Sequence, residues 1–257
     1  MIVMPRLIHT VAEWRARRDE HRAAGRTVGF VPTMGALHEG HASLFRAARR
    51  NCDVVLASVF VNPTQFDEPH DFAKYPRTLG ADLALMEAAG VDVVLAPTVA
   101  EMYPNGTRYS VQESDQSLAL EGAHRPGHFT GVLTVVMKLL QIADAERAYF
   151  GEKDFQQLQL VRGMGEAFFL RTEIVGCPTV REPDGLAMSS RNTRLSAAER
   201  ALAPQFHATL VSALTPVDAR AQLAAAGFAV DYIEDRDGRR FGAVRLGLTR
   251  LIDNVPL

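Results

Sequence analysis

Residues 29–43 read GFVPTMGALHEGHAS, and the fold class follows from how this stretch changes character along its length. An apolar run of Val28, Phe30 and Val31 stops at Pro32, Gly35 supplies a turn, and His38 and His41 open a helical pattern. A strand, a turn and a helix start thus follow one another directly. A helix start presents unpaired backbone N–H groups and the positive end of the peptide dipole, which suits it to phosphate. His38 and His41, three apart, are expected on one face of its first turn.

On the amino-terminal side, Thr10 and Glu13 make a capping box, and Val11, Trp14 and Arg18 continue a helix that Gly25 stops ahead of a strand at 27–31. On the carboxyl side the helix runs over 39–49. The valine-rich run 53–61 follows, and its lack of alternation indicates a strand covered on both faces, as in a parallel sheet. It ends in Asn62-Pro63-Thr64-Gln65-Phe66, polar residues at a strand's carboxyl end, where open α/β sheets bind ligands. Leu79, Leu83, Met86 and Ala89 keep a helical period to Gly90, and 91–95 is a short strand stopped by Pro97. This order implies right-handed crossovers and an α/β fold with a doubly wound parallel sheet of Rossmann-like type.

The region 100–127 is less regular, with 108–111 read as an edge strand. Val132, Val135, Val136, Leu139 and Leu140 then give a helix of about four turns. A strand at 148–150 runs into Gly151-Glu152-Lys153-Asp154, ahead of a helix bearing Phe155, Leu158, Val161 and Met164. Lys153 and Asp154 at such a junction can meet phosphate and ribose, or can simply cap the helix. A last short strand at 172–175 precedes Pro178, a domain boundary. Beyond it come a turn at Pro183-Asp184-Gly185, the segment Met188-Ser189-Ser190-Arg191, and a helix capped by Ser196 and Glu199 with Leu202, Phe206 and Leu210 in one stripe. A helix at 217–226 stops at Gly227, and two strands follow, around Val230 and Tyr232 and around Val244, Leu246 and Leu248, joined across Asp237-Gly238. The expected organisation is a Rossmann-like domain, 1–178, and a smaller α+β domain, 179–257.

With 257 residues, 47% of them apolar and 23% charged, the chain can bury a core of ordinary globular size. A net charge of −2 and the lack of any basic block longer than a pair argue against broad electrostatic binding of nucleic acid. The opening MIVMPRL is too short, and too soon broken by Pro5 and Arg6, for a secretory leader. The longest apolar stretches, 54–61 and 133–143, are of core length, so no membrane span is expected. Cys52 and Cys177 have no paired spacing; they read as buried apolar thiols of a cytoplasmic protein.

Two phosphate motifs fail on inspection. Gly35 and Gly40 have Walker spacing, but His41 and Ala42 stand where Lys and Ser or Thr belong. The pair Gly163 and Gly165 lies in a helical pattern with Phe168 in place of the third glycine of a dinucleotide fingerprint. A zinc-protease helix would need histidines four apart, so metal ligation by His38 and His41 is not expected. What remains, His38-Glu39-Gly40-His41 after a strand, resembles the HxGH signature of nucleotidyltransferases and class I aminoacyl-tRNA synthetases. Taken alone it also fits an exposed helix-start pair. Met188-Ser189-Ser190-Arg191 looks like a variant of that superfamily's second signature, a loop over the ATP phosphates; alone it reads as a solvated loop.

Together with Pro32-Thr33-Met34-Gly35, Phe60-Val61-Asn62-Pro63-Thr64-Gln65-Phe66, Phe150-Gly151-Glu152-Lys153-Asp154, Ser189-Ser190-Arg191-Asn192 and Arg250-Leu251-Ile252-Asp253-Asn254, these segments resemble one family, the pantothenate synthetases or pantoate–β-alanine ligases. The resemblance implies that pantoate attacks the α-phosphate of ATP to give pantoyl adenylate and pyrophosphate, and that β-alanine then displaces AMP. By the same resemblance, His38, His41, Lys153, Ser189, Ser190 and Arg191 are catalytic around the triphosphate, with Mg²⁺ bridging its oxygens. Met34, Gln65 and Gln157 hold pantoate, where a neutral amide orients a carboxylate without blunting it as a nucleophile. Pro32, Thr33, Met34, His41 and Met188 line the ATP side, Gly151 and Asp154 the ribose, and Val180 the adenine through its main chain. Asn62, Tyr75 and Arg125 match positions behind these contacts. The histidines are expected to donate hydrogen bonds rather than move protons, since pantoate is already ionised at pH 7. A homodimer through the first domain is implied. The alternatives are a nucleotidyltransferase acting on another small acid and a non-catalytic nucleotide binder; a tRNA synthetase is disfavoured because no anticodon-binding extension is present.

Overall fold

Six parallel strands form the main sheet of the computed structural model, which describes residues 4–66, 72 and 75–257; residues 1–3 of the opening stretch lie outside the described residues. Its strands are β1 (Arg6–Ile8), β2 (Val28–Thr33), β3 (Val54–Val59), β4 (Val93–Leu95), β5 (Arg147–Gly151) and β6 (Glu173–Cys177), in spatial order β1-β4-β3-β2-β5-β6. The chain builds outward from β2 through β3 to β4, then returns to lay β5 and β6 on the other side. The order therefore reverses between β2 and β5, and a ligand crevice belongs at the carboxyl ends of those two strands. Pairing shows the crevice opening: β2 matches β3 along all of Val28–Thr33, yet meets β5 only at Gly29 and Phe30. Pro32, with no N–H to offer, falls where the two strands have parted.

Both faces of the sheet are covered, which is why its strands read as continuous apolar runs. One face packs Phe30, Leu56 and Phe150 under α1 (Val11–Ala23) and the long helix His128–Ala143. The other packs Val31, Val55, Ala57 and Tyr149 under α2 (Glu39–Asn51) and α3 (Leu79–Ala88). Trp14, fully buried, also donates its indole N–H to the Ala143 carbonyl at 3.1 Å, fixing α1 against the end of the long helix. The capping boxes at Thr10–Glu13 and Ser196–Glu199 form as expected.

A second sheet, antiparallel and three-stranded, is made by Ala229–Arg236, Arg239–Leu246 and Thr249–Pro256. Phe206, Leu210, Leu223, Val244 and Leu251 form its own core, while Tyr232, Phe241 and Leu120 join it to the rest of the molecule.

Several expectations are corrected. Residues 108–111 form no strand, because the Val111 N–H is taken by the Thr134 hydroxyl at 2.9 Å instead of a ladder partner. β1 was missed, being three residues long at the sheet edge. Val91 lies in the turn that closes α3, donating to the Met86 carbonyl, so β4 starts at Val93. The stripe Leu202–Phe206–Leu210 lies on two helices, Ala197–Leu202 and Pro204–Ser212, since Pro204 opens a second one. Leu248 is fully exposed in a turn, not on a strand: Gly247 takes a φ of +54° and sends the chain back as a third strand through Arg250 to Asn254.

Candidate active site

His38 is not in the helix but caps it. Its backbone is extended, with φ −142°, and its ring accepts the Gly40 N–H at Nδ1, 3.1 Å away. His41, in the third helical position, accepts the His38 N–H at its own Nδ1, 3.3 Å away. The pair is a capping box built from two imidazoles, with ring centroids 4.2 Å apart. The first turn thus uses its own N–H groups: Gly40 gives to the His38 ring, and His41 and Ala42 give to the His38 carbonyl. What it offers a ligand is side chain rather than bare backbone, a correction to the simple picture of an open helix end. A Cβ at Gly40 would stand 2.8 Å from His38 Cε1, so any larger residue there would push the ring out of its capping position.

The tautomers follow from these partners. A backbone N–H can only donate, so each Nδ1 is the bare nitrogen and each neutral ring carries its proton on Nε2. Burial, then Lys153, pushes His38 below the usual histidine range. Burial, then the neighbouring His38 and Lys153, pushes His41 down to about 3. Both rings are therefore neutral Nε2–H donors at physiological pH.

Acid sensitivity follows with a definite sign. Unfolded histidine titrates near 6.5, whereas folded His41 stays neutral to about 3, so the unfolded chain takes up the proton first. The stability this gives is complete above pH 6.5 and is lost as pH falls toward 3, at about 1.4 kcal/mol per pH unit for a single group. Urea unfolding at pH 7 and pH 5 should show a smaller acid loss for His41→Gln than for the wild type; equal losses would refute it.

The turn ahead of the helix is held by Asp82, 2% exposed, which sequence reasoning passed over as one polar residue in a helix. Its carboxylate accepts the Ala36 and Leu37 N–H groups at 3.1 and 2.9 Å. Gly35 adopts a φ of +81° beside it.

Gln65 follows β3 on a single 3₁₀ turn, Pro63–Gln65. Its side-chain amide meets Met34 Sδ at 3.0 Å and accepts from Asn62 Nδ2 at 3.1 Å. Its carbonyl accepts from Arg125 at 3.2 Å and from His128 Nδ1 at 3.0 Å. Because Arg125 also donates to His128 Nε2, 3.0 Å away, that ring is neutral with its proton on Nδ1. His128 was not anticipated; a histidine at a helix start carries no signal without its distant partner. Asn62, 1% exposed, lies beneath, accepting the Tyr103 hydroxyl at 2.8 Å and donating to the Gly131 carbonyl at 3.2 Å.

Across the crevice, β5 delivers Gly151 and the 3₁₀ turn Glu152–Asp154, with Lys153 Nζ 3.7 Å from Asp154. Gln157 follows on the helix Phe155–Ala167. A small hairpin closes the third side: Arg181 bridges to Ala187, and the Met188 N–H reaches the Val180 carbonyl at 3.0 Å, which keeps a second lone pair for a ligand. Ser189 then caps the turn Ser190–Arg194 through the Arg191 N–H.

All these segments face one cavity of about 270 Å³. Pro32, Thr33, Met34, His38, His41, Gln65, Gly151, Lys153, Asp154, Gln157, Val180, Met188, Ser189, Ser190 and Arg191 all line it, as do Tyr75 and Arg125; Asn62 does not. The arrangement sets neutral imidazole donors, the cations of Lys153, Arg191 and Arg125 and the Ser189 and Ser190 hydroxyls around one space, with two glutamine amides beside them, a chemistry suited to a phosphate-bearing ligand next to a small polar acid.

The chain matches the family model described as pantoate-beta-alanine ligase over residues 6–256. It belongs to the pantoate–β-alanine ligase family. Relatives in that family include the pantothenate synthetase of Bdellovibrio bacteriovorus, 52% identical, with 99% of this chain and 100% of the relative covered. That of Cereibacter sphaeroides is 50% identical, with the same coverage. Among solved structures, the Thermus thermophilus pantothenate synthetase superposes with a TM-score of 0.90 at 44% identity, covering 98% of this chain and 99% of that one. The Francisella tularensis pantoate-β-alanine ligase, solved with β-γ ATP and β-alanine, superposes with a TM-score of 0.92 at 38% identity, covering 98% of this chain and 97% of that one. The parallel sheet followed by a small antiparallel one is thus the fold this ligase family shares along the whole chain.

Proposed function

We propose that this protein joins pantoate to β-alanine using ATP, through pantoyl adenylate, with release of pyrophosphate and then AMP. Family membership supports the reaction; the observation that carries the assignment of residues is the convergence of His38 and His41 with Lys153 and the Ser189–Ser190–Arg191 turn on one cavity.

Pantoate arrives ionised, so the first step needs no base. Gln65 and Gln157 orient its hydroxyl and carboxylate, and Gln65 is held for this by Asn62 and Met34. The carboxylate oxygen bonds to the α-phosphorus as the bond to the bridging oxygen breaks, and negative charge grows on the departing pyrophosphate. The His38 and His41 Nε2–H groups, Lys153, Arg191 and the two serine hydroxyls meet that charge. In the second step β-alanine, its ammonium proton given up to solvent, attacks the acyl carbonyl. The bond from that carbon to the AMP oxygen breaks as the C–N bond forms, AMP leaves, and the amide nitrogen releases its second proton to solvent. Gly151 and Asp154 face the ribose, Val180 the adenine edge.

Magnesium enters with the nucleotide substrate. Among the described residues no group of three or more His, Cys, Asp or Glu side chains is placed to hold a metal ion. Bound with the triphosphate, the ion would supply positive charge to the phosphate oxygens as pyrophosphate departs. Residues 179–257 act as a lid that carries the serine turn, and closure over the adenylate keeps water from a reactive mixed anhydride. Two free buried thiols, Cys52 and Cys177, fit a cytoplasmic setting, and among the described residues no helix is long and apolar enough to cross a membrane. A homodimer through the parallel-sheet part is the assembly implied by the resemblance.

The test is pyrophosphate exchange into ATP by the purified protein. Exchange should require pantoate, and AMP release should require β-alanine as well. Exchange supported equally by other small acids would overturn the substrate assignment, and exchange with none would overturn the chemistry.

A further inference from the structure

We propose that Asn254, on the last strand of the antiparallel sheet, is a positioning residue for Lys153. This rests on the ligase reading above. The Asn254 amide nitrogen donates to the carbonyls of Glu152 and Lys153, at 2.9 and 3.0 Å. Its oxygen accepts from Arg239 Nε and Nη2, at 2.8 and 2.6 Å. Arg239 can only donate and a carbonyl can only accept, so the orientation of the amide is dictated by its neighbours. The residue is 3% exposed and both ends of its side chain are engaged. Arg239 is itself seated 4.1 Å over the Phe155 ring, at the start of the helix that follows Lys153.

The preceding residue does the matching task on the other side of the strand. Asp253, 4% exposed, takes Arg181 in a two-pronged pair at 2.6 and 3.0 Å, and Arg181 belongs to the hairpin that leads into Ser189–Arg191. Successive residues of a strand point to opposite faces. Asp253 and Asn254 therefore tie the serine turn and the lysine turn to one rigid strand and fix the distance between them. Lys153 lies on a single 3₁₀ turn with a long flexible side chain, so where its Nζ can reach is set by where its backbone is held. An anchor acting on the two carbonyls of that turn controls it.

Asn254→Asp keeps the size and the Arg239 contact but sets a carboxylate against two carbonyl oxygens, pushing the turn away. Turnover should fall about 10- to 100-fold, the scale of an ångström-sized misplacement, with the KM for ATP changing less than about 3-fold. The decisive measurement is the same substitution in a Lys153→Met background. If Asn254 acts through Lys153, the double variant turns over like Lys153→Met alone. An equal further loss in that background means a general structural role, and wild-type turnover of Asn254→Asp means no role; either result overturns the proposal. Should Asn254→Asp not fold, Asn254→Ala, which removes the anchor without adding charge, goes through the same cycle. Failure of the ligase reading is separate, because the wild type would then show no pantoate-dependent AMP release.

Discussion

Lys153→Met should lower turnover about 10²- to 10³-fold while leaving the protein folded, the loss typical of deleting one preorganised group that meets developing charge. The expectation rests on where the ammonium stands. It lines the crevice opposite the imidazole pair, close enough that its charge helps depress both histidines. Its ion partner, Asp154, is 3.7 Å away and half exposed, so stability owes little to the pair and the melting temperature should move by no more than a few degrees. Methionine keeps most of the stem and none of the charge. Removing the cation should also raise the titration points of His38 and His41, which NMR can follow; burial, the larger cause, remains. Turnover within a factor of two of the wild type would place the lysine outside the chemistry.

Gly131→Ala should be among the most destabilising single changes in the chain, by about 3 kcal/mol, the upper end of ordinary overpacking. The long helix passes so close to the Gln65 turn that an added Cβ would stand 2.2 Å from the Thr64 carbonyl oxygen and 2.9 Å from the Gln65 Cα. Backbone on backbone leaves no rotamer to yield, so helix and turn must separate. Separation would also stretch the Asn62 bond to the Gly131 carbonyl and shift Gln65, so the KM for pantoate should rise with the loss of stability. At this chain length the melting temperature should drop by roughly 6–12 °C. Gly163→Ala, in a neighbouring helix with nothing within 4 Å of the added carbon, is the control, expected to be neutral or to stabilise by about 0.5–1 kcal/mol. Equal behaviour of the two variants would sink the argument.

The difference between these glycines marks what a sequence can disclose. Residues 29–43 were readable because strand, turn and helix cap there are local events, each decided by a few neighbouring residues. The fold class followed, as did the segments that line the cavity. Gly131, Asp82, His128 and Asn254 were not readable, because each acts on a partner far along the chain: Thr64, Leu37, Gln65 and Lys153. The short edge strand Arg6–Ile8 and the final strand Thr249–Pro256 were missed for the opposite reason. One is too brief to show a period, and the other hides behind a turn at Gly247 that interrupts an apparent alternation.

The box formed by His38 and His41 has an evolutionary consequence. Each imidazole accepts a main-chain N–H with one nitrogen and keeps the other as a donor. A replacement at either position therefore faces two demands at once: Ser or Asn at 38, or Gln at 41, can rebuild the cap, yet each gives up the imidazole N–H that the ring offers to a ligand.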